Sequence, residues 1–220
     1  MAVVITSFTA GSGDEITVGF ELCDGSEQSS VKHTIPISVY TELGLAKGEC
    51  STELYCRVAR EAGIHAAFKR GGYILGFGAC SVNMLVSKLI SKGFERADAR
   101  AAVERMQERG FIDEYENAAR EAEKCAEKLW GESRIRAELA RKRYDSEAIA
   151  QALYSLEDSG LDFDENCKKL IASRYAEIPS DRAQMQKLVA AVCRMGYSIS
   201  QIKSACSLLL AEQKRPDPYK

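Results

Sequence analysis

The hydrophobic pattern changes period once along this chain. Segments 3–9 (VVITSFT), 15–22 (EITVGFEL) and 29–37 (SSVKHTIPI) are rich in β-branched residues and are separated by the turn-prone stretches AGSGD and DGSEQ, which predicts strands. From Ser51 onward the chain is rich in Ala, Leu, Glu, Lys and Arg, with apolar residues at helical spacing and glycines between the runs. The exception is RGGYILGFG at 70–78, where glycines sit inside a run; it reads as a flexible joint. The prediction is a mainly α protein with a β-rich N-terminal cap (1–50), then a connecting helix and Gly-rich joint (51–78).

The helical part repeats. Setting KGF (92–94), KRY (142–144) and MGY (195–197) in register, copies 50 and then 53 residues apart, brings Leu85, Ile135 and Leu188 together without a gap, and likewise Leu89, Leu139 and Val192. Beyond the aromatic, Ala102, Ala152 and Ala205 align, as do Met106, Leu156 and Leu209. Three tandem three-helix, helix-turn-helix-like repeats in an elongated array follow: 79–129, 130–179 and a truncated 180–213, with 214–220 as a tail. Each copy opens with two helices joined by a tight turn, and Phe94, Tyr144 and Tyr197 fall in the angle between them as core residues. Gly93 and Gly196 suit the left-handed end of a helix, whereas Arg143 in the middle copy predicts a different turn geometry. Gly110 and Gly160 stop the second helices, and Asp113 with Glu116, Asp162 with Glu165 and Ser198 with Gln201 read as helix starts.

Composition narrows the chemistry. The eight cysteines form no Cys-x-x-Cys pair and read as reduced, small apolar fillers. The two histidines, His33 and His65, stand beside no ligand group, so no metal is expected. No glycine-rich phosphate loop and no nucleophile motif occurs, so the reading is a protein without catalytic residues or cofactor. Apolar runs are too short to span a bilayer and the start lacks a basic leader, which predicts a cytoplasmic, monomeric protein with no membrane association.

A net charge of −2 hides a local excess of cations. Between 124 and 143 lie Lys124, Lys128, Arg134, Arg136, Arg141, Lys142 and Arg143 against Glu127, Glu132 and Glu138. On a helix over 132–142, Ile135 and Leu139 face inward, Arg134 and Arg141 share one outer stripe, and Arg136 and Arg143 share another. This is either a contact surface for an acidic groove or phosphates, or a solvated face of local ion pairs, since Glu138 is four residues from Arg134 and three from Arg141. Lys88 and Lys92 in the first copy, with Arg194 and Lys203 in the last, extend the candidate track. Trp130, just before Gly131, reads as junction packing rather than a binding anchor.

The KLISKGF segment, the hinge GFIDEYENAAREA and KLWGESRIRAELARKRY together resemble the RecX family of bacterial recombination regulators over roughly residues 73–212. The most specific part is Gly110, Phe111, Ile112, Asp113 and Glu114, followed by Trp130, Gly131, Arg134, Ile135, Glu138 and Leu139. The family's usual Phe-Ala pair after the acids is Asn117-Ala118 here. The resemblance implies a non-enzymatic regulator in DNA repair and the SOS response. Such a protein binds the RecA recombinase filament, touches DNA at most weakly through its groove, and mostly inhibits ATPase and strand exchange. Two other readings stand beside it: a helical-repeat DNA-binding protein, or an adaptor for another protein.

Overall fold

The computed structural model describes residues 2–213, so the tail at 214–220 lies outside the described residues. Strands β1 (Ala2–Ala10), β2 (Glu15–Asp24) and β3 (Glu27–Pro36) form an antiparallel meander, and the short β4 (Gly48–Cys50) adds to the far edge of β1, in the order β3-β2-β1-β4. Between β3 and β4 comes α1 (Ile37–Leu43), which starts behind Pro36 and is closed by Gly44 at φ 58. Neither α1 nor β4 has a counterpart in the sequence pattern; both are too short to show a period. One face of the sheet buries Val3, Ile5, Val18, Phe20 and Ile35 together with Val58 of the long helix α2 (Thr52–Leu75).

The remaining elements are helices: α3 (Val82–Ser91), α4 (Arg96–Glu108), α5 (Glu114–Ala126), α6 (Glu132–Arg141), α7 (Ser146–Asp158), α8 (Phe163–Arg174), α9 (Arg182–Cys193) and α10 (Ile199–Gln213). Their starts are set locally. Asp113, Asp145, Asp162 and Asp181 each accept the backbone N–H two or three residues on, at 2.7–3.2 Å. Ser198 and Gln201 bond reciprocally as a capping box. Such a cap is worth about 1 kcal/mol. The stops are local too, with Gly93, Gly110, Gly160 and Gly196 all at positive φ. Arg143 corrects the expectation for the middle turn: it takes φ 63 itself, so the turn keeps the left-handed geometry despite its side chain. That backbone state costs a non-glycine residue about 1 kcal/mol.

The proposed flexible joint at 70–78 also needs correction. Arg70 to Leu75 continue α2, and the helix ends only at Gly76. Gly71 is buried there, and a Cβ on it would stand 2.8 Å from the Met106 sulfur. Tertiary packing thus overrides the poor helix propensity of two glycines.

Contacts divide the chain into two units: residues up to 80 with 85–112, and 81–84 with those from 113 onward. In the first, α2 packs on the sheet and on α4, held by the bidentate Glu61–Arg105 pair at 2.9 and 3.0 Å. Glu15 at the start of β2 meets His65 and Lys69 of α2 at 3.0 and 2.8 Å, and the Lys69 and His65 hydrogen bonds hold its carboxyl below the usual range. In the second, α5 packs on α7 and α8 on α10. Leu85, Leu89, Ile135, Leu139, Leu188 and Val192 are all fully buried, as are Tyr144 and Tyr197 nearly so, while Phe94 is half-buried against Ile64, Ala67 and Ala102. None of the eight cysteines is in a disulfide, and burial pushes the Cys167 thiol up to about 12. Cys56 is exposed, so for that one position the filler reading is replaced by a surface thiol. Among the described residues, no helix is long and apolar enough to cross a membrane.

Candidate interaction surface

The basic cluster is built around the start of α6. Leu129 turns the chain at φ 56, Trp130 follows half-buried, and Gly131 enters the helix in an extended conformation. Gly131 donates its N–H to the Met195 carbonyl at 2.8 Å, and Ser133 Oγ donates to the Gly196 carbonyl at 2.8 Å. A Cβ on Gly131 would stand 2.5 Å from the Gly196 oxygen. Only glycine allows that approach. Tyr197 completes the junction by donating its hydroxyl to the Leu129 carbonyl at 3.0 Å.

The same contacts recur one copy earlier. Ser81 Oγ donates to the Lys142 carbonyl at 2.6 Å, and Asn83 Nδ2 to the Arg143 carbonyl at 3.2 Å. In the repeat register Ser81 and Asn83 correspond to Gly131 and Ser133, and Lys142 and Arg143 to Met195 and Gly196. A first-turn group thus bonds the next turn's carbonyl in both places, although the side chains differ. Sequence periodicity carries no sign of this, because polar partners that differ between copies leave no repeated letter.

The cations distribute unevenly over this frame. Arg134 is folded down: its guanidinium stacks 3.9 Å from the Trp130 ring centroid and donates to the Arg194 carbonyl at 3.1 Å. It therefore leaves the outer stripe on which the helical wheel sets it with Arg141. Arg136 pairs with Glu132 at 2.8 Å, and Arg141 grips Glu138 through two bonds at 2.8 and 2.6 Å. The Arg141 hydrogen bond holds the Glu138 carboxyl below its usual range. Lys142 pairs with Glu121, an acid outside the cluster as read from sequence. Lys128 lies 5.6 Å from the Trp130 ring, and Lys124 is exposed on α5. Arg143 is exposed at the α6–α7 turn. Arg194 closes α9 and Lys203 is exposed on α10, whereas Lys88, exposed on α3, and Lys92, exposed just after it, belong to the other unit.

Exposed ion pairs of this kind contribute about 0–1 kcal/mol and can be exchanged for a partner's acids at little cost. Among the described residues, no three His, Cys, Asp or Glu side chains gather where a metal ion could sit. Helix α7 carries no Lys or Arg to set against phosphates in a groove.

No family model matches the chain. It is 36% identical over 119 residues to the Regulatory protein RecX of Xanthomonas axonopodis pv. citri (strain 306), covering 54% of this chain and 72% of that protein. With the Regulatory protein RecX of Stenotrophomonas maltophilia (strain R551-3) it shares 35% over 122 residues, or 55% and 73% of the two chains. A solved regulatory protein RecX superposes with a TM-score of 0.68 at 20% identity, over 93% of this chain and 100% of that one. RecX from Lactobacillus salivarius gives 0.58 at 18%, over 68% and 97%. At these identities the solved structures speak for the fold, a mainly helical chain opened by a small antiparallel sheet. The curated relatives speak for more: the chain belongs to the RecX family of regulatory proteins.

Proposed function

We propose that this protein regulates homologous recombination by binding the filament that the RecA recombinase forms on DNA, lowering its ATP hydrolysis and strand exchange without catalysing a reaction itself. Family membership is the observation that carries this reading. The architecture supports it through tandem helical units whose junctions repeat one set of carbonyl contacts. The relation of α2 to α4 matches that of α5 to α7 and of α8 to α10, so each packed unit takes its first helix from the segment before it. On this view the third copy is complete, because α8 supplies its third helix and α2 plays that part for the first. Several such units give many weak contacts to a polymer of identical subunits, and these act together through effective concentration.

The contact surface we assign is the outer side of the basic cluster: Lys124, Arg136 and Arg141, with Arg134 reserved for holding the α6 junction. The test is co-sedimentation with RecA–single-stranded DNA filaments, using the parent and the K124A/R136A/R141A variant. At about 0.5 kcal/mol per exposed cation, the variant should bind roughly tenfold more weakly. Equal binding would remove these residues from the interface. If the parent fails to sediment while it captures a different protein, the adaptor reading takes precedence.

A further inference from the structure

The end of α2 and the turn just after it carry an aromatic pair, Tyr73 and Phe77, that its own unit leaves uncovered. Tyr73 is 59% exposed and Phe77 78% exposed, yet their rings stand edge to face with centroids 5.0 Å apart, and the Arg70 guanidinium lies 4.9 Å over Tyr73. Arg70 and Tyr73 are three residues apart on the helix, and Phe77 follows in the turn past its end. Beside them run Gly72 and Gly76. A Cβ at Gly72 would touch nothing nearer than the Met106 methyl at 4.0 Å, and one at Gly76 would make only ordinary contact, 3.4 Å from the Tyr73 oxygen. Packing therefore does not require glycine at either position, and a helical glycine costs about 1 kcal/mol relative to alanine. Neither position puts a side chain beside the two rings, which stay largely exposed.

Charge selects the ligand. Between Glu61 and Glu95 the chain holds no Asp or Glu, in a sequence with 32 acidic residues, while it holds Lys69, Arg70, Lys88 and Lys92. Lys69 is engaged by Glu15, and Arg70 sits directly at the rings. Exposed aromatic rings beside an arginine, on a stretch of sequence without acids, are features by which proteins hold unpaired bases and their phosphates. An acidic protein surface would use the cations but gains little from the exposed rings.

We propose that Tyr73 and Phe77, with Arg70 beside them, form a base-stacking site for single-stranded nucleic acid. Tyr73 and Phe77 take the bases and Arg70 an adjacent phosphate. The site is separate from the basic cluster and does not depend on the recombinase reading, because binding is expected from the protein alone.

The experiment is fluorescence anisotropy of a labelled oligothymidylate with the full chain and no recombinase, in parallel with an abasic oligonucleotide of equal length and a blunt duplex. The parent should prefer the oligothymidylate over both by tenfold or more. Y73A/F77A should lose about tenfold for each ring that carries a base. Because both side chains are exposed, the far-UV spectrum and melting temperature should not change. Should that variant fold poorly, Y73L/F77L keeps the bulk and removes the stacking faces, and the same loss is expected. Equal affinity for the abasic strand, unchanged affinity in the folded variants, or no binding by the parent at low salt would each overturn the site.

Discussion

Glu114 is the most buried acid among the described residues. It is buried to 6% exposure, Oε2 accepts the Val82 N–H at 2.7 Å, and Oε1 is buried with no hydrogen-bond partner among the described residues. Burial raises its pKa above the ordinary carboxylate value and the Asp145 charge adds to that, while the backbone N–H groups of Val82 and Asp145 oppose it. A pKa raised by folding means that the fold favours the protonated form. Its stabilising contribution is complete below the ordinary value and is lost as pH rises through the folded one. E114Q keeps an acceptor for Val82 and carries no charge, so the stability difference between variant and parent should grow in the variant's favour from about pH 4 to pH 7. Denaturant titrations at several pH values test this, and parallel curves for the two proteins would refute it. Position 114 was visible in the sequence only as an acid of the hinge. Its task was not, because its partner lies 32 residues away. Caps such as Asp113 and Asp162 were legible for the opposite reason: donor and acceptor are three residues apart or fewer.

At the scale of elements, one contact type decides how helices meet. The α6 start approaches the α9–α10 turn closely enough that a methyl on Gly131 would collide with a backbone oxygen, which cannot swing away as a side-chain end can. G131A should destabilise the protein by about 1–3 kcal/mol, as overpacking does elsewhere. G72A has room for its methyl and should be neutral or slightly stabilising. Equal effects in thermal melts would show that the junction yields more than the geometry implies. Long periodic helices were readable because burial at three- and four-residue spacing leaves a mark in the sequence. The end of α2 was misread as a joint, since the packing at Gly71 comes from Met106, far along the chain. Arg143 was misread for a related reason: its carbonyl, held by Asn83, belongs to a junction the sequence does not display.

For the whole molecule, charge was legible and its use was not. Sequence located the cations from Lys124 to Arg143, but only the structure separates Arg134, laid on Trp130, from Arg136 and Arg141, which meet solvent beside exchangeable acids. The central claim is regulation of RecA by this RecX-family chain, and RecA's ATP hydrolysis on single-stranded DNA, titrated with the purified protein, tests it most directly. The account predicts that the rate falls with added protein to a low plateau, and that K124A/R136A/R141A shifts the midpoint to roughly tenfold higher concentration. A rate that stays constant at saturating protein, with the protein shown to be folded, would contradict it.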